Sequence, residues 1–347
     1  MTVADASLPI ETDALIIGAG PVGLFQVFEL GLQDIHTHVV DVLPFIGGQC
    51  AELYADKPIY DIPALAYCTG AELVQRLQQQ TAPFKPMFHL QQQVMALQAQ
   101  HDGRWALRTQ QGTEFLTKTV VIAAGVGAFT PRPLGLPALQ NLEGQQVFHT
   151  LPTKPSVQGQ QVVVVGGHDD AIQAALLAIE HQAASVTLLH RRSTLDAEAS
   201  LLSRFEQAVS QGKLQFLTAQ VTDAQLSGAR LQGLQLTLLD GSEPTIAVDQ
   251  LWVALGLTPQ LGPIAQWGLS MSRKQLVVNP ENFSTSATGI FAVGDINTYP
   301  GKRKLIVSGF HEATLAAFGA AAYLRPGQKI PLEYTTASPR LHRLLGV

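Results

Sequence analysis

The stretch "DALIIGAGPVGLFQVFEL" (residues 13–30) decides how the chain reads. An apolar run that suits a buried strand enters Gly18-x-Gly20-x-x-Gly23, and an apolar helix follows. A second apolar run, "HTHVVDVLP", carries Asp41, 23 residues after Gly18. Strand, glycine loop, helix and a delayed acid form the dinucleotide-binding fingerprint in its full context. Gly18 makes the tight turn, Gly20 lets a pyrophosphate approach the backbone, and Gly23 allows helix and strand to pack closely. The helix N-terminus stabilises phosphate, and a carboxylate at the second strand's end accepts hydrogen bonds from a ribose.

The same unit returns 148 residues later in "QQVVVVGGHDDAIQAALLAIEHQ", with Gly166, Gly167, His168, Asp169, Asp170 and Ala171. Its second strand, "ASVTLLHRR", ends in His190-Arg191-Arg192 where the first copy has Asp41. A carboxylate suits an unphosphorylated ribose. Arginines suit a 2′-phosphate, because a guanidinium makes charge-assisted bonds to phosphate oxygens. The first unit therefore reads as FAD-binding and the second as NADP-binding.

Bulk properties bound the rest. The chain has 347 residues, enough for two domains, and 46% of them are hydrophobic. A net charge of −5 argues against a general nucleic-acid binder. The only cysteines, Cys50 and Cys68, allow neither a disulfide framework nor a cysteine zinc site. No run is long and apolar enough for a transmembrane helix, and the acidic N-terminus lacks a signal pattern. A cytoplasmic protein without membrane or metal is expected. "TVVIAAGVGAF" (119–129) and "ALGLTPQLGP" (254–263) look like two crossings between domains. "TSATGIFAVGD" (285–295) is a strand ending in Asp295, which suits flavin ribityl hydroxyls. The predicted fold is α/β, with two doubly wound dinucleotide-binding domains. The NADP domain (127–259) is inserted in a discontinuous FAD domain (1–126 and 260–347).

"GGQCAELYADKPIYDIPA" (47–64), "GIFAVGDINTYPGKRKLIVSGFHEA" (289–313) and the tail "YTTASPRLHRLLGV" join these motifs. Together they make the chain resemble the thioredoxin-reductase-like type of ferredoxin–NADP reductase. "LYADKPIYD" and "TYPGKRKL" separate this type from other flavoproteins with two dinucleotide units. The resemblance implies FAD contacts at Asp41, Gln49, Tyr54, Val94, Phe129, Asp295 and Thr336. It implies NADP contacts at Gly166, Gly167, His168, Asp169, Arg191 and Arg192. Tyr54 would stack on one flavin face, and Tyr334 is the candidate for the other, from which it must move for hydride transfer. The resemblance also suggests a homodimer.

The nicotinamide region lacks the Cys-x-x-Cys of a thioredoxin reductase, so Cys50 and Cys68 read as buried thiols and electrons leave the flavin directly. The expected partner is ferredoxin or flavodoxin. From Pro300 onward, seven Lys/Arg face two acids, which could steer an acidic partner, with Arg340 and Arg343 as docking candidates. An NAD(P)H oxidase or quinone reductase with a diffusible acceptor is the alternative enzyme. A redox-sensing flavoprotein is the alternative outside enzymology.

One loop departs from the family pattern. Relatives read Gly-Gly-Gly-Asp-Ser-Ala where this chain has Gly166-Gly167-His168-Asp169-Asp170-Ala171. A Cβ at His168 should push the pyrophosphate away, and Asp170 should repel it. Leu195-Asp196 stand where relatives tend to carry another basic residue. Three readings stay open: weakened NADP(H) binding with His168 protonated or turned outward, preference for another donor such as NADH, or loss of nicotinamide binding.

Overall fold

The computed structural model describes residues 8–149, 155–332 and 334–346. It divides into two compact units, Met1–Ala128 with Gln260–Val347, and Phe129–Pro259.

In the first unit the strand Ile10–Ile17 lies at the centre of a sheet. It pairs in parallel with Thr37–Val40 on one side and Glu114–Ile122 on the other. Met87–His89 extends the sheet beyond Thr37–Val40, again in parallel. The long strand Glu114–Ile122 is shared along its length. Its first half takes the antiparallel strand Trp105–Thr109, which carries Val94–Ala99 at the edge. Its second half takes Ile290–Ala292 in parallel. Ala14, Leu15 and Ile16 are fully buried, as expected of a parallel strand covered on both faces. The covering helices include Pro21–Leu32, Gly70–Thr81 and Ile306–Leu324. The helix Gly70–Thr81 starts at a reciprocal cap. Thr69 accepts from the Glu72 amide at 3.2 Å, and the Glu72 carboxylate accepts from the Thr69 amide at 2.9 Å.

The second unit repeats the arrangement. Gln161–Gly166 lies between Ser185–His190 and Gln250–Ala254, all parallel. Val147–Phe148 continues the sheet beyond Gln250–Ala254, and Gln215–Ser227 continues it beyond Ser185–His190. Arg230–Leu238 and Thr245–Ala247 then add as an antiparallel meander. The four valines 162–165 are all buried: Val162 and Val164 pack with Trp252 and the helix Asp169–Glu180, and Val163 and Val165 pack on the opposite face with Leu189, Leu236 and Leu251.

Both units therefore place their glycine loop at the carboxyl end of a central strand, where the chain turns from one side of the sheet to the other. In open α/β sheets that crevice is where ligands bind. The α/β class and the Rossmann-type parallel sheets are as the sequence indicates. The strand ending in "FAVGD" is shorter than its apolar run. Only Ile290–Ala292 pair, because the chain then tightens into the 3₁₀ turn Gly294–Ile296. Among the described residues no helix is long and apolar enough to cross a membrane.

Candidate functional site

The first loop is built almost wholly of backbone. Gly18 has φ +113°, and a Cβ there would drive into the carbonyl of Ala123 at the end of the neighbouring strand. Its amide donates to the Val40 carbonyl at 2.8 Å. Gly20 is the N-cap of the helix Pro21–Leu32 and supplies no side-chain cap, so the first turn's amides keep their hydrogens for a ligand. A Cβ at Gly23 would strike the Gly18 carbonyl, which is why helix and strand come so close.

A second glycine pair closes on this turn. The Gly47 amide donates to the Ala19 carbonyl at 2.9 Å. Gly48 has φ +54°, and its Cβ would come 2.9 Å from Cα of Gly20. Gln49 begins the short helix Gln49–Glu52, with its amide nitrogen 3.2 Å from where a Gly125 Cβ would lie. The result is a cradle that any side chain would fill, with the Gln49 amide at its rim.

Asp41 closes it. The carboxylate is buried and accepts from the Ala19 amide at 2.5 Å and the Leu43 amide at 2.8 Å. Burial pushes its pKa up, and the amides of Ala19, Leu43 and Val42 pull it back. Each oxygen retains a lone pair for a ribose hydroxyl.

Asp295 sits half-buried on the turn Gly294–Ile296. Burial raises its pKa, and Lys302 and then Lys304 oppose that rise. Beneath the turn lies a polar network the sequence reading missed. The fully buried Glu312 accepts from the Gly294 amide at 2.7 Å, Asn297 Nδ2 at 2.8 Å and Tyr299 Oη at 3.0 Å. It also pairs with Lys302, whose ammonium donates to the Gly294 carbonyl at 2.9 Å. The signal was present: Glu312 stands on the face of its helix shared by the buried Gly309, Ala313 and Ala316, where a lone charge needs a partner.

Tyr54 is half-buried and accepts a hydrogen bond from Cys50 Sγ at 3.4 Å. Burial, then Cys50, then the negative charges of Asp295 and Asp61 push the phenol far above its ordinary range, so it stays neutral. Beside it opens a depression of about 670 Å³ lined by Leu53, Tyr54, Lys57 and Tyr60 among others. Cys50 and Cys68 are buried in one apolar cluster, and burial raises both thiols.

Other expected contacts stand apart. Val94 is buried as the first residue of its strand, opposite Thr109. Phe129 is the first residue of the second unit and half-buried. Tyr334 is 70% exposed and leads the turn Thr335–Ala337, on which Thr336 is also exposed. Among the described residues no hydrogen bond or ring contact ties either to Tyr54, Asp41 or Asp295.

The basic tail is less free than its composition suggests. Arg340 donates to the carbonyls of Gly31 and Leu32 at 2.6 Å each and to Asp34 Oδ1 at 3.1 Å. Arg325 donates to the Gln33 carbonyl at 2.6 Å. Both cap the C-terminus of the fingerprint helix, where the backbone dipole is negative. Lys302 is consumed by Glu312. Arg303, Lys304, Lys329 and Arg343 remain exposed. Arg340 is thus an anchor for the tail, and of the two expected docking arginines only Arg343 is exposed.

The second loop repeats the first with substitutions. A Cβ on Gly166 would strike the Ala254 carbonyl and come 2.6 Å from Cβ of Ala171, the counterpart of Gly18 against Ala123. A Cβ on Gly167 would run into the His190 imidazole. His190 thus covers the backbone that Asp41 covers in the first unit. Burial, then Arg191, His168 and Arg192, lower its pKa. Arg191 and Arg192 lie beyond it, exposed.

His168 is the N-cap residue, with φ −119° and ψ −177°, close to the extended backbone of Gly20. A side chain is therefore tolerated there without strain; its cost falls on whatever approaches. The ring leans on the loop after the second strand. Nδ1 lies 3.2 Å from the Asp196 carbonyl and 3.6 Å from its Oδ2. The Asp196 amide donates to the Gly167 carbonyl at 2.9 Å, and the Glu198 amide to Asp169 Oδ1 at 2.8 Å. Asp196, read from sequence only as a lost cation, is a latch that holds residues 191–198 across the glycine turn. Asp170 is exposed in the first helical turn.

Residues 12–317 match the family model described as pyridine nucleotide-disulphide oxidoreductase. A protein of Polaromonas sp. named ferredoxin–NADP reductase is 50% identical over 100% of this chain and 95% of its own length. One from Albidiferax ferrireducens with the same name is 52% identical over 98% of this chain and 97% of its own. Among solved structures, Lactococcus lactis thioredoxin reductase is similar with a TM-score of 0.57 at 22% identity, covering 90% of this chain and 99% of that one. Bacillithiol disulfide reductase from Staphylococcus aureus reaches a TM-score of 0.62 at 17% identity, with the same coverage. At those identities the structures speak for the fold alone.

Proposed function

The chain belongs to the pyridine nucleotide-disulphide oxidoreductase family, among the ferredoxin–NADP reductases, and from that premise we propose what its residues do. It is an FAD-dependent oxidoreductase that passes hydride between NADP(H) and FAD, and single electrons between FAD and ferredoxin or flavodoxin. The observation that carries this reading is the doubled loop: two glycine turns at equivalent places in two parallel sheets, one beside a buried carboxylate and the other beside two exposed arginines.

The first unit fits FAD because its cradle has no side chains to displace and Asp41 offers oxygens at the ribose position. Gly18, Gly20, Gly23 and Gln49 would receive the pyrophosphate, Asp295 the ribityl chain, and Tyr54 one face of the ring, with Val94, Phe129 and Thr336 as further contacts. Bound there, the isoalloxazine would accept a hydride pair and release electrons singly. Tyr54 is kept neutral and excludes water on its side. Tyr334 is exposed, as a movable cover of the opposite face needs to be.

The second unit fits NADP(H) through Gly166, Gly167, His168 and Asp169 at the turn, and through Arg191 and Arg192 at a 2′-phosphate. The expected domain limits, 127–259 within 1–126 and 260–347, gain support from the division of the chain near the same residues. No Cys-x-x-Cys relay exists, and both cysteines are buried and hard to ionise, which favours a protein acceptor of single electrons over a dithiol. Arg343 with Lys304 and Arg303 would steer the acidic partner. A cytoplasmic homodimer completes the proposal, on the strength of the resemblance alone. Steady-state turnover with NADPH tests it: ferredoxin or flavodoxin should accept electrons faster than a free quinone at equal concentration. A quinone that outpaces both would favour the diffusible-acceptor reading.

A further inference from the structure

We propose that His168 makes nucleotide binding proton-coupled: the second unit takes its dinucleotide with His168 as an imidazolium, and binding consumes a proton. The proposal rests on reading that unit as the nicotinamide-dinucleotide site.

His168 Nδ1 lies 3.2 Å from the backbone carbonyl of Asp196, which can only accept. Nδ1 therefore carries a hydrogen in either charge state, and in the neutral ring Nε2 is a bare lone pair. Among the described residues Nε2 has no hydrogen-bond partner, and two-thirds of the side chain is exposed at the N-terminus of the helix Asp169–Glu180. A phosphate brought to that helix end meets Nε2 where the first unit presents only Gly20. A lone pair facing a phosphate oxygen repels it. Protonation turns the same atom into a charged donor, and a charge-assisted bond then replaces the close backbone approach that the Cβ prevents.

The surroundings fit an inducible charge. Asp196 Oδ2 lies 3.6 Å from Nδ1, and Asp169 and Asp170 stand in the first turn of the helix. Arg191 and Arg192 end the second strand beyond His190, which is held toward its neutral form by burial first and then by those arginines and His168. An incoming dianionic pyrophosphate adds negative charge beside Nε2, and a proton taken up there offsets it. His168 is an affinity determinant and takes no part in hydride transfer.

Linkage then sets the pH dependence. If the free site is neutral and the bound site charged, the dissociation constant rises by up to about tenfold per pH unit. The test is isothermal titration of the FAD-loaded protein with NADP⁺ and with ADP-ribose at about pH 6 and about pH 8, in two buffers of different ionisation enthalpy. Wild type, His168→Gln and His168→Gly are compared, so the ligand's own phosphate titration cancels in the ratios. Wild type should bind more tightly at low pH and, at about pH 8, take up more protons on binding than either variant. Both variants should lose the extra slope, and His168→Gly should bind well at both pH values. A wild-type slope equal to that of His168→Gln overturns the proposal and leaves the dinucleotide site standing. No binding by any of the three, with flavin in place, overturns the site itself.

Discussion

Replacing Lys302 by methionine isolates the network under the Asp295 turn. Lys302 is 6% exposed and Glu312 fully buried, so the substitution leaves a buried carboxylate without its counter-ion. Glu312 keeps its bonds from Gly294, Asn297 and Tyr299, but those are neutral donors. Breaking a buried pair by removing one partner costs about 3–5 kcal/mol, most of it the penalty on the charge left behind. Methionine matches the apolar length of lysine, so little of the loss is packing. The double variant Lys302→Met/Glu312→Gln removes both charges and should recover at least about 1–2 kcal/mol relative to the sum of the single changes. The assay is urea denaturation at a fixed excess of FAD, because bound ligand adds to apparent stability. FAD binding measured alongside should weaken with the single variant, since Lys302 also holds the Gly294 carbonyl. A loss below about 1 kcal/mol for Lys302→Met, or strict additivity in the cycle, would refute the argument that the pair sustains the turn.

Three further outcomes follow from particular contacts. Arg340→Ala should cost about 1–2 kcal/mol of stability, through lost capping of the fingerprint helix, while Arg343→Ala should spare stability and lessen the salt dependence of ferredoxin reduction. The reverse pattern would return docking to Arg340. His38 lies 2.9 Å from His89, and burial, then His89 and His36, push its pKa down to about 4. A histidine so depressed stabilises the fold fully above its ordinary pKa of 6.5 and loses that contribution as pH falls through 6.5 toward 4. Up to about 3 kcal/mol should disappear across that window, and His38→Gln should flatten the slope; equal acid sensitivity in both proteins would contradict this. Tyr54→Leu should shift the visible absorption of bound flavin and raise its fluorescence, whereas unchanged spectra would remove Tyr54 from the ring face.

The fold was legible because its signals are local and periodic. Two apolar runs, two glycine turns and the strands that follow fix both central sheets before any contact is seen. Asp41 was legible for the same reason, since the spacing from Gly18 places it at the strand end. The support for Asp295 was not, because Lys302, Asn297 and Glu312 meet only when the helix Ile306–Leu324 packs behind the turn. The basic tail misled for a related reason. Net charge counts Lys302, Arg325 and Arg340 as surface, yet each is spent on a carboxylate or on helix carbonyls. His168 shows both sides. Its place in the second loop was plain from the repeat, and its cost to an approaching phosphate followed from the Cβ. Its bond to Asp196 required the latch loop to fold over the turn, which no spacing announces.

The first loop is proposed to hold the flavin and the second a 2′-phosphorylated nicotinamide dinucleotide. Anaerobic stopped-flow mixing of the FAD-loaded protein with NADPH or NADH tests that directly, with flavin bleaching as the signal. Both should bleach the flavin, NADPH faster and at lower concentration, and that preference should be lost when Arg191 and Arg192 are neutralised. Flavin that NADPH leaves oxidised, or that NADH reduces equally well in wild type and variant, would contradict it.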